Sequence, residues 1–250
     1  MINKIAFVSI LLVLNLNAKV ITIAVAANVS YAINDLIKEF NNKNTNVKVN
    51  IILGSSGKLT AQITHGAPYD LFMSANMKYP NSLYHNEYAI KKPKVYAKGS
   101  LAVFSTKKIN FTEKLSKILQ SSKIRQIAIA NPKTAPYGIA SFEALKNVNT
   151  FEKIKSKFVY GESISQTISY ALRATDIGII AKSSLFSSKM KQYKENIHWK
   201  EIDKSLYTPI NQGIVLLKHA KDNKEASSFY DFILSKKAKN IFKEYGYLVK

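Results

Sequence analysis

The stretch VITIAVA, residues 20–26, decides the fold, because a short, apolar and largely β-branched run is typical of a strand buried in a parallel sheet. Apolar residues then recur with helical spacing over residues 29–40, and a second strand-like run covers residues 47–53. A short helix including residues 59–63 leads to a third strand at residues 71–73. This βαβαβ order predicts a parallel sheet with right-handed crossovers.

A second series of alternating strands and helices follows. Its predicted elements are strands at residues 101–104, 126–130, 157–160 and 177–180, and helices at about 138–145 and 165–172. The remaining predicted elements are a strand within 207–217 and terminal helices at 223–235 and 236–245. Two α/β series without a flexible linker predict two lobes joined by a hinge. Ligands of such sheets bind beyond the carboxyl ends of the strands.

Composition limits the function classes. The chain contains no cysteine, which excludes disulfides, zinc–thiolate sites and cysteine nucleophiles. Its formal net charge is +21, carried by scattered lysines, with Arg125 and Arg173 as the only arginines. We favour a lysine-rich surface as the explanation, ahead of steering of small anions towards a cleft. Nucleic-acid binding ranks third, because it favours the planar fork of arginine.

The beginning of the sequence is typical of a secretory signal. Lys4 supplies a positive charge, residues 5–14 are apolar except for Ser9, and Ala18 is a small residue before the expected cleavage. The apolar run is too short for a permanent transmembrane helix, although a short membrane anchor is the alternative. We therefore expect residues 1–18 to be removed and the protein to function in a bacterial periplasm.

Four junctions between a strand and a helix carry uncharged hydrogen-bond donors: Ala26–Ser30, Gly54–Leu59, Asn131–Ala140 and Tyr160–Ser165. Glycine allows close approach of the backbone to a ligand, and the free N–H groups of a helix start bind anions. Taken alone, the first junction is better explained as an ordinary N-cap, and each of the others also fits a helix cap or a rigid turn. Together they favour an unprotonated dianion, which needs donors only, whereas phosphate keeps a proton and would use an acceptor such as Glu162.

Enzyme motifs are missing from the sequence, which contains no HExxH, no GxSxG and no P-loop. The alternative from another class is a secreted hydrolase with Ser56 or Ser163 as nucleophile, and it lacks a nearby base. Tyr245 and Tyr247, near the end of the chain, are interpreted as packing residues.

Several stretches together resemble the periplasmic molybdate-binding proteins of ABC transporters, the ModA type. They are ITI at 21–23 with AAN at 26–28, GSSGKL at 54–59, GAPYDLFMSA at 66–75, NP at 131–132 with PYG at 136–138, DIGII at 176–180 and FKEYGY at 242–247. The resemblance extends over almost the whole chain after residue 18. The segment 66–75 is its most specific part.

The resemblance implies an α/β, type II periplasmic-binding-protein fold that holds a tetrahedral oxyanion, molybdate or tungstate, between two lobes with mixed sheets. The family's ligands fall on Asn28, on the Ser56 hydroxyl, and on the backbone N–H groups of Tyr137 and Ile164. Some members place a tyrosine hydroxyl in the site where this sequence has Ala181. We expect the Asn28 amide N–H₂ to compensate in part for that missing donor.

We expect residues 19–97 with 208–250 to form the first lobe and residues 98–207 the second, with crossings near 96–100 and 205–212. The resemblance implies a monomer that needs no cofactor, catalyses no reaction and delivers its ligand to an ABC permease in the inner membrane. We expect no nucleic acid among its partners. The same fold binding sulfate, phosphate or a small organic anion is the nearest alternative.

Overall fold

The computed structural model describes residues 19–249, which form two five-stranded sheets with helices packed against them. The expected signal segment, residues 1–18, lies outside the described residues. Within the described range, no helix combines the length and the apolar character that crossing a membrane requires.

The first sheet has the strand order β2-β1-β3-β10-β4. Its strands are β1 (Lys19–Ala26), β2 (Val47–Gly54), β3 (Leu71–Ser74), β4 (Lys94–Gly99) and β10 (Ile210–Leu216). Strand β1 runs parallel to β2 and β3, whereas β10 runs antiparallel to β3 and β4. The sheet is therefore mixed, and the βαβαβ order predicted from residues 20–73 gives its parallel part.

Helices cover both faces of the first sheet. They are α1 (Ile33–Asn41), α2 (Ser56–Thr64), α3 (Lys78–His85), α8 (Lys224–Ile233) and α9 (Lys236–Glu244). Phe40 of α1, Phe229 of α8 and Phe242 of α9 are buried in one core cluster. Leu59 of α2 and Leu83 of α3 belong to a separate cluster. Burial of these apolar side chains holds the helices against the sheet, and thereby positions their first residues near the strand ends.

The second sheet has the strand order β7-β6-β8-β5-β9. Its strands are β5 (Leu101–Phe104), β6 (Ile127–Ala130), β7 (Phe158–Gly161), β8 (Ile177–Ala181) and β9 (Trp199–Glu201). Its helices are α4 (Leu115–Gln120), α5 (Pro136–Asn147), α6 (Phe151–Ile154) and α7 (Ile164–Arg173). Strand β6 is parallel to β7 and β8, and β5 is antiparallel to β8 and β9. We call each sheet with its packed helices a lobe.

Short 3₁₀ helices complete the described chain, at Ala27–Val29, Lys155–Lys157, Lys182–Phe186, Ser188–Met190, Lys204–Leu206 and Lys218–Ala220. The first of them changes one prediction: the helix expected over 29–40 starts as a 3₁₀ turn and becomes α-helical only at Ile33. Asn28 therefore lies in a tight turn after β1.

The chain passes between the sheets at Ser100, between β4 and β5, and returns between β9 and β10. The two passages are bonded to each other, because the Leu101 N–H donates to the Tyr207 hydroxyl at 3.0 Å and the Ile202 N–H donates to the Leu101 carbonyl at 3.0 Å. A bulge in β10 between Gln212 and Gly213 changes its register with β4. These paired passages join the two sheets without a flexible linker.

Candidate functional site

Three neighbouring strand ends of the first sheet bring Asn28 and Ser56 to one edge. Ala26 at the end of β1 lies opposite Gly54 at the end of β2, so the turn holding Asn28 is next to the start of α2. Strand β3 pairs with β1 on its other side. The Ala75 N–H, just after β3, donates to Ser56 Oγ at 2.9 Å. Among residues 19–249 the Ser56 hydroxyl has no acceptor of its own, so its hydrogen is available to a ligand.

Ser55 supplies a second buried hydroxyl at this edge. It occupies the N-cap position of α2, but its side chain makes no capping bond. Its Oγ is buried and has no hydrogen-bond partner in the described part of the chain. Buried hydroxyls without a partner are uncommon and call for an explanation. A ligand at this edge would supply one.

The second lobe presents the starts of two helices in the same way. Ala130 at the end of β6 lies opposite Gly161 at the end of β7. Tyr137 is the second residue of α5, after Pro136, and Ile164 is the first residue of α7. The backbone N–H groups of these two residues have no acceptor within their helices, and residues 19–249 offer none elsewhere.

Local sequence explains how α5 starts so close to its strand. An added Cβ on Gly138 would lie 2.3 Å from the Ala130 carbonyl oxygen, so only glycine allows this approach. Asn131 organises the preceding loop: its Oδ1 accepts the Lys133 N–H at 3.0 Å, and its own N–H donates to the Gly161 carbonyl at 2.8 Å. The loop is thereby tied to the end of β7.

Hydrogen bonds between the lobes bring the two edges together. The Gly57 N–H donates to the Thr134 carbonyl at 2.9 Å, which places Ser56 beside the loop before Tyr137. The Ser165 hydroxyl donates to the Ala27 carbonyl at 3.0 Å, which places the turn holding Asn28 beside the start of α7. The four residues carried over from the family thus meet at one interface. They are joined there through their chain neighbours.

An ion pair spans the outer side of this interface. Lys58 Nζ lies 2.9 Å from Glu162 Oε1, and the two side chains are 53% and 56% exposed. Glu162 therefore points to solvent and does not offer an acceptor to a buried ligand.

Among the described residues, no group of three or more histidine, aspartate or glutamate side chains is arranged to hold a metal ion.

The Asn28 amide is bound on its donor side. Its Nδ2 donates to Gln212 Oε1 and to the Tyr247 hydroxyl, both at 2.9 Å, and Tyr247 donates to the Asn28 carbonyl at 2.9 Å. Asn28 Oδ1 is buried and has no partner in the described chain. The amide hydrogens expected to compensate for the tyrosine missing at Ala181 are therefore engaged with protein groups in this arrangement.

Gln212 extends this network into the second lobe. Its Nε2 donates to the Tyr137 hydroxyl at 3.4 Å, and its Oε1 accepts from the Tyr96 hydroxyl at 3.5 Å. Tyr247 packs in the core of the first lobe, as a packing residue should, and in addition bonds to Asn28. Gln212 and Tyr247 had no place in the sequence-based site. An uncharged amide inside the apolar strand of residues 207–217 is the signal that points to Gln212.

The tyrosine hydroxyls of this network stay neutral. Burial raises the pKa of Tyr247 to about 12, although hydrogen bonds with Ser183 and Asn28 act in the opposite direction. Burial also raises the pKa values of Tyr96 and Tyr137 well above the ordinary value for tyrosine. Ser183, which follows β8 closely, donates its hydroxyl to the Asn28 carbonyl at 3.3 Å. The site is thus surrounded by uncharged donors.

Comparisons with known proteins show the family and the fold of this chain. The family model described as bacterial extracellular solute-binding protein matches residues 21–248. The molybdate-binding protein ModA of Azotobacter vinelandii is 32% identical over 229 residues, which cover 91% of this chain and 89% of that protein. ModA of Rhodobacter capsulatus is also 32% identical over 229 residues, covering 91% and 87%. The solved periplasmic molybdate-binding protein of Azotobacter vinelandii superimposes with a TM-score of 0.84 at 29% identity, covering 92% and 99% of the two chains.

Proposed function

This chain belongs to the bacterial extracellular solute-binding proteins, in their ModA-type branch, and we propose that it captures molybdate or tungstate between its two lobes. The two-lobed α/β fold with mixed sheets predicted for the family is confirmed. The family binds solutes and is not a family of enzymes. The proposed ligand positions are the Asn28 turn, the Ser56 hydroxyl, and the N–H groups of Tyr137 and Ile164.

One observation carries the proposal: buried, uncharged donors without protein partners face one interface from both lobes. Ser56, Tyr137 and Ile164 are each at most 4% exposed. Their hydroxyl and N–H groups donate to no acceptor in the described chain. A dianion that carries no proton satisfies such donors, and the positive ends of α5 and α7 add to the attraction. No opposite charge has to be buried with it.

Lobe closure follows from the same arrangement. We propose residues 19–97 with 208–250 as the first lobe and 98–207 as the second, with the two bonded passages between the sheets as the hinge. A ligand that accepts hydrogen bonds from both lobes favours the closed form over the open one. An ABC permease that recognises the closed form is the proposed partner, and the protein acts as a monomer outside the cytoplasm.

A catalytic role is not part of this proposal. The Ser56 hydroxyl contacts the Ala75 N–H, and the Ser163 hydroxyl accepts the Gln166 N–H as a helix cap. Neither contact is with a base that would activate a nucleophile. We propose that the oxyanion is cargo for transport and that no cofactor takes part.

Calorimetry on desalted protein tests the proposed function. Molybdate, tungstate, sulfate and phosphate are titrated separately into the same preparation. We expect tight binding of molybdate or tungstate, and much weaker binding of sulfate and phosphate. Sulfate has shorter bonds to oxygen, and phosphate retains a proton for which the Ser56, Tyr137 and Ile164 donors offer no acceptor. Equal affinity for all four anions would contradict the proposed selectivity.

A further inference from the structure

We propose that Gln212 is a positioning residue that determines which end of the Asn28 amide faces the bound oxyanion, an inference that rests on the proposed function. Gln212 is fully buried in β10, directly before the bulge, where the chain has just returned to the first sheet. Its side chain bonds to Asn28 in the first lobe and to Tyr137 in the second. It is therefore placed to link the proposed ligand positions of the two lobes.

In the present orientation the unpaired atom of the Asn28 amide is its acceptor, Oδ1, which is unsuited to contact an anion. Both Nδ2 hydrogens are directed at Gln212 and Tyr247, and the atom left without a partner is the acceptor Oδ1. A buried acceptor without a donor is unfavourable by itself. Next to an oxyanion, which offers acceptors only, it is also repelled.

Half a turn of the Asn28 amide removes both problems, because its oxygen and nitrogen ends have nearly the same shape. Nδ2 then takes the place of the unpaired Oδ1, and Oδ1 accepts the Tyr247 hydroxyl hydrogen. Gln212 must turn with it, so that its Nε2 donates to Asn28 Oδ1 and its Oε1 accepts from the Tyr137 hydroxyl. Three bonds are given up in exchange: the Tyr247 hydroxyl to the Asn28 carbonyl at 2.9 Å, the Tyr96 hydroxyl to Gln212 Oε1 at 3.5 Å, and Gln212 Nε2 to the Ile210 carbonyl at 3.3 Å. The Asn28 carbonyl keeps the Ser183 hydroxyl as its donor at 3.3 Å.

The two orientations give the pair of amides a role in recognition. A fully deprotonated dianion selects the orientation that presents Asn28 Nδ2, whereas a protonated anion can donate to Oδ1 in the other one. Because Gln212 also bonds to Tyr137, the change at Asn28 is transmitted to the residue whose N–H is the proposed donor in the second lobe. The Tyr137 and Tyr247 hydroxyls keep their protons in both orientations, since their pKa values are raised, so each can donate where the flipped amides require it.

A double-mutant cycle with molybdate as the probe tests this role. Gln212→Met keeps the side-chain volume and removes the amide bonds to Asn28, Tyr137, Tyr96 and Ile210. We expect the molybdate Kd to rise roughly tenfold, as for one lost hydrogen bond to a charged group. In an Asn28→Ala background the same change should alter Kd by no more than about twofold, because the partner it positions is gone. Gln62→Met is the matched control, since the one hydrogen bond of the Gln62 side chain within residues 19–249 comes from the Tyr69 hydroxyl.

Two results would overturn the inference while the proposed function stands: wild-type protein that binds molybdate and loses nothing on Gln212→Met, or effects of Gln212→Met and Asn28→Ala that simply add. Failure of the wild-type protein to bind any tetrahedral oxyanion would instead contradict the proposed function. A measurement on unmutated protein covers the case in which Gln212→Met does not fold. In ¹⁵N-labelled wild type, molybdate should shift the side-chain amide signals of Asn28 and Gln212 together, and shifts at neither would contradict the inference.

Discussion

At the scale of single residues, Ser56 is the side chain on which the proposed site depends most. Its oxygen accepts the Ala75 N–H, and its hydrogen donates to no acceptor within residues 19–249, so it is available to a ligand. We predict that Ser56→Ala weakens molybdate binding by about 1.5–3 kcal/mol, the range for a hydrogen bond to a charged group. Calorimetry measures the change, and Ser169→Ala, on the exposed side of α7, is the control. Unchanged affinity in Ser56→Ala would mean that the ligand lies elsewhere.

The buried hydroxyl of Tyr247 should affect the free energy of unfolding at alkaline pH. Its pKa is raised from 10.0 to about 12 in the folded protein, so the unfolded chain loses the hydroxyl proton first as the pH rises. The contribution of the neutral hydroxyl is fully present below pH 10 and is lost between about pH 10 and 12. We predict that Tyr247→Phe reduces the fall in unfolding free energy over this range.

Urea unfolding at a series of pH values between 8 and 12, a range set by that shift, measures this slope. Tyr160→Phe is the matched control, because nearly half of the Tyr160 side chain is exposed. A slope in Tyr247→Phe as steep as that of the wild type would contradict the assigned burial of the hydroxyl.

Among the single residues of the site, the sequence predicts the hydrogen-bond donors that lie at the start of a helix. Ser56 and Ile164 each start a helix shortly after a strand, and Tyr137 lies at the start of the helix that follows β6 and its loop, so a strand–helix pattern is enough to find them. Gln212 and Tyr247 contact Asn28 from 184 and 219 residues away along the chain. Only the tertiary fold creates such contacts. The amide within an apolar strand marks Gln212 as unusual, but the sequence does not indicate its partner.

At the scale of elements, the start of α7 offers a test of a backbone donor. Ile164 is the first residue of the helix, where proline is well tolerated, and Ser163 before it is already extended with ψ 164°. We predict that Ile164→Pro weakens molybdate binding by about 10-fold or more, because it removes one N–H donor and little else.

Ile164→Val is the matched control, since it keeps the N–H and changes only the apolar side chain. Thermal unfolding shows whether both variants retain the fold, and calorimetry compares their affinities. Equal losses in the two variants, or no loss in Ile164→Pro, would exclude the Ile164 N–H as a ligand.

Most strands are predicted well from the sequence, including β2 and β7, which are not buried on both faces. Strands β1, β3, β5, β6 and β8 are apolar runs, and their predicted bounds agree with the structure within one residue. Helix α3 escapes prediction because it starts with KYPNS, which has no apolar period and includes Pro80. Edge strand β4 escapes because lysines at both of its ends and exposed Val95 interrupt the apolar pattern.

At the scale of the whole molecule, the ion pair between Lys58 and Glu162 allows a test of whether charged groups or neutral donors hold the lobes together around an anion. Both side chains are more than half exposed, so solvent screens the pair and its contribution to closure is small. We predict that Glu162→Gln changes molybdate affinity by less than about 1 kcal/mol. A selective loss of phosphate binding would show instead that Glu162 accepts a proton from the ligand.

Glu152→Gln provides the control for Glu162→Gln. It removes a comparable exposed pair with Lys155 that lies within the second lobe and does not span the interface. Calorimetry at low and at high salt should show the two variants close to the wild type in molybdate affinity. A large loss confined to Glu162→Gln would mean that charge, and not neutral donors, holds the lobes together around the anion.

The most direct measurement is a crystal structure of the protein grown with molybdate, with anomalous diffraction recorded at the molybdenum edge. We predict one molybdenum peak at the interface between the lobes, with its oxygens within hydrogen-bonding distance of Ser56 Oγ and of the Tyr137 and Ile164 nitrogens. A peak bound at any other place, or an interface in which these three groups hold no oxyanion, would contradict the account.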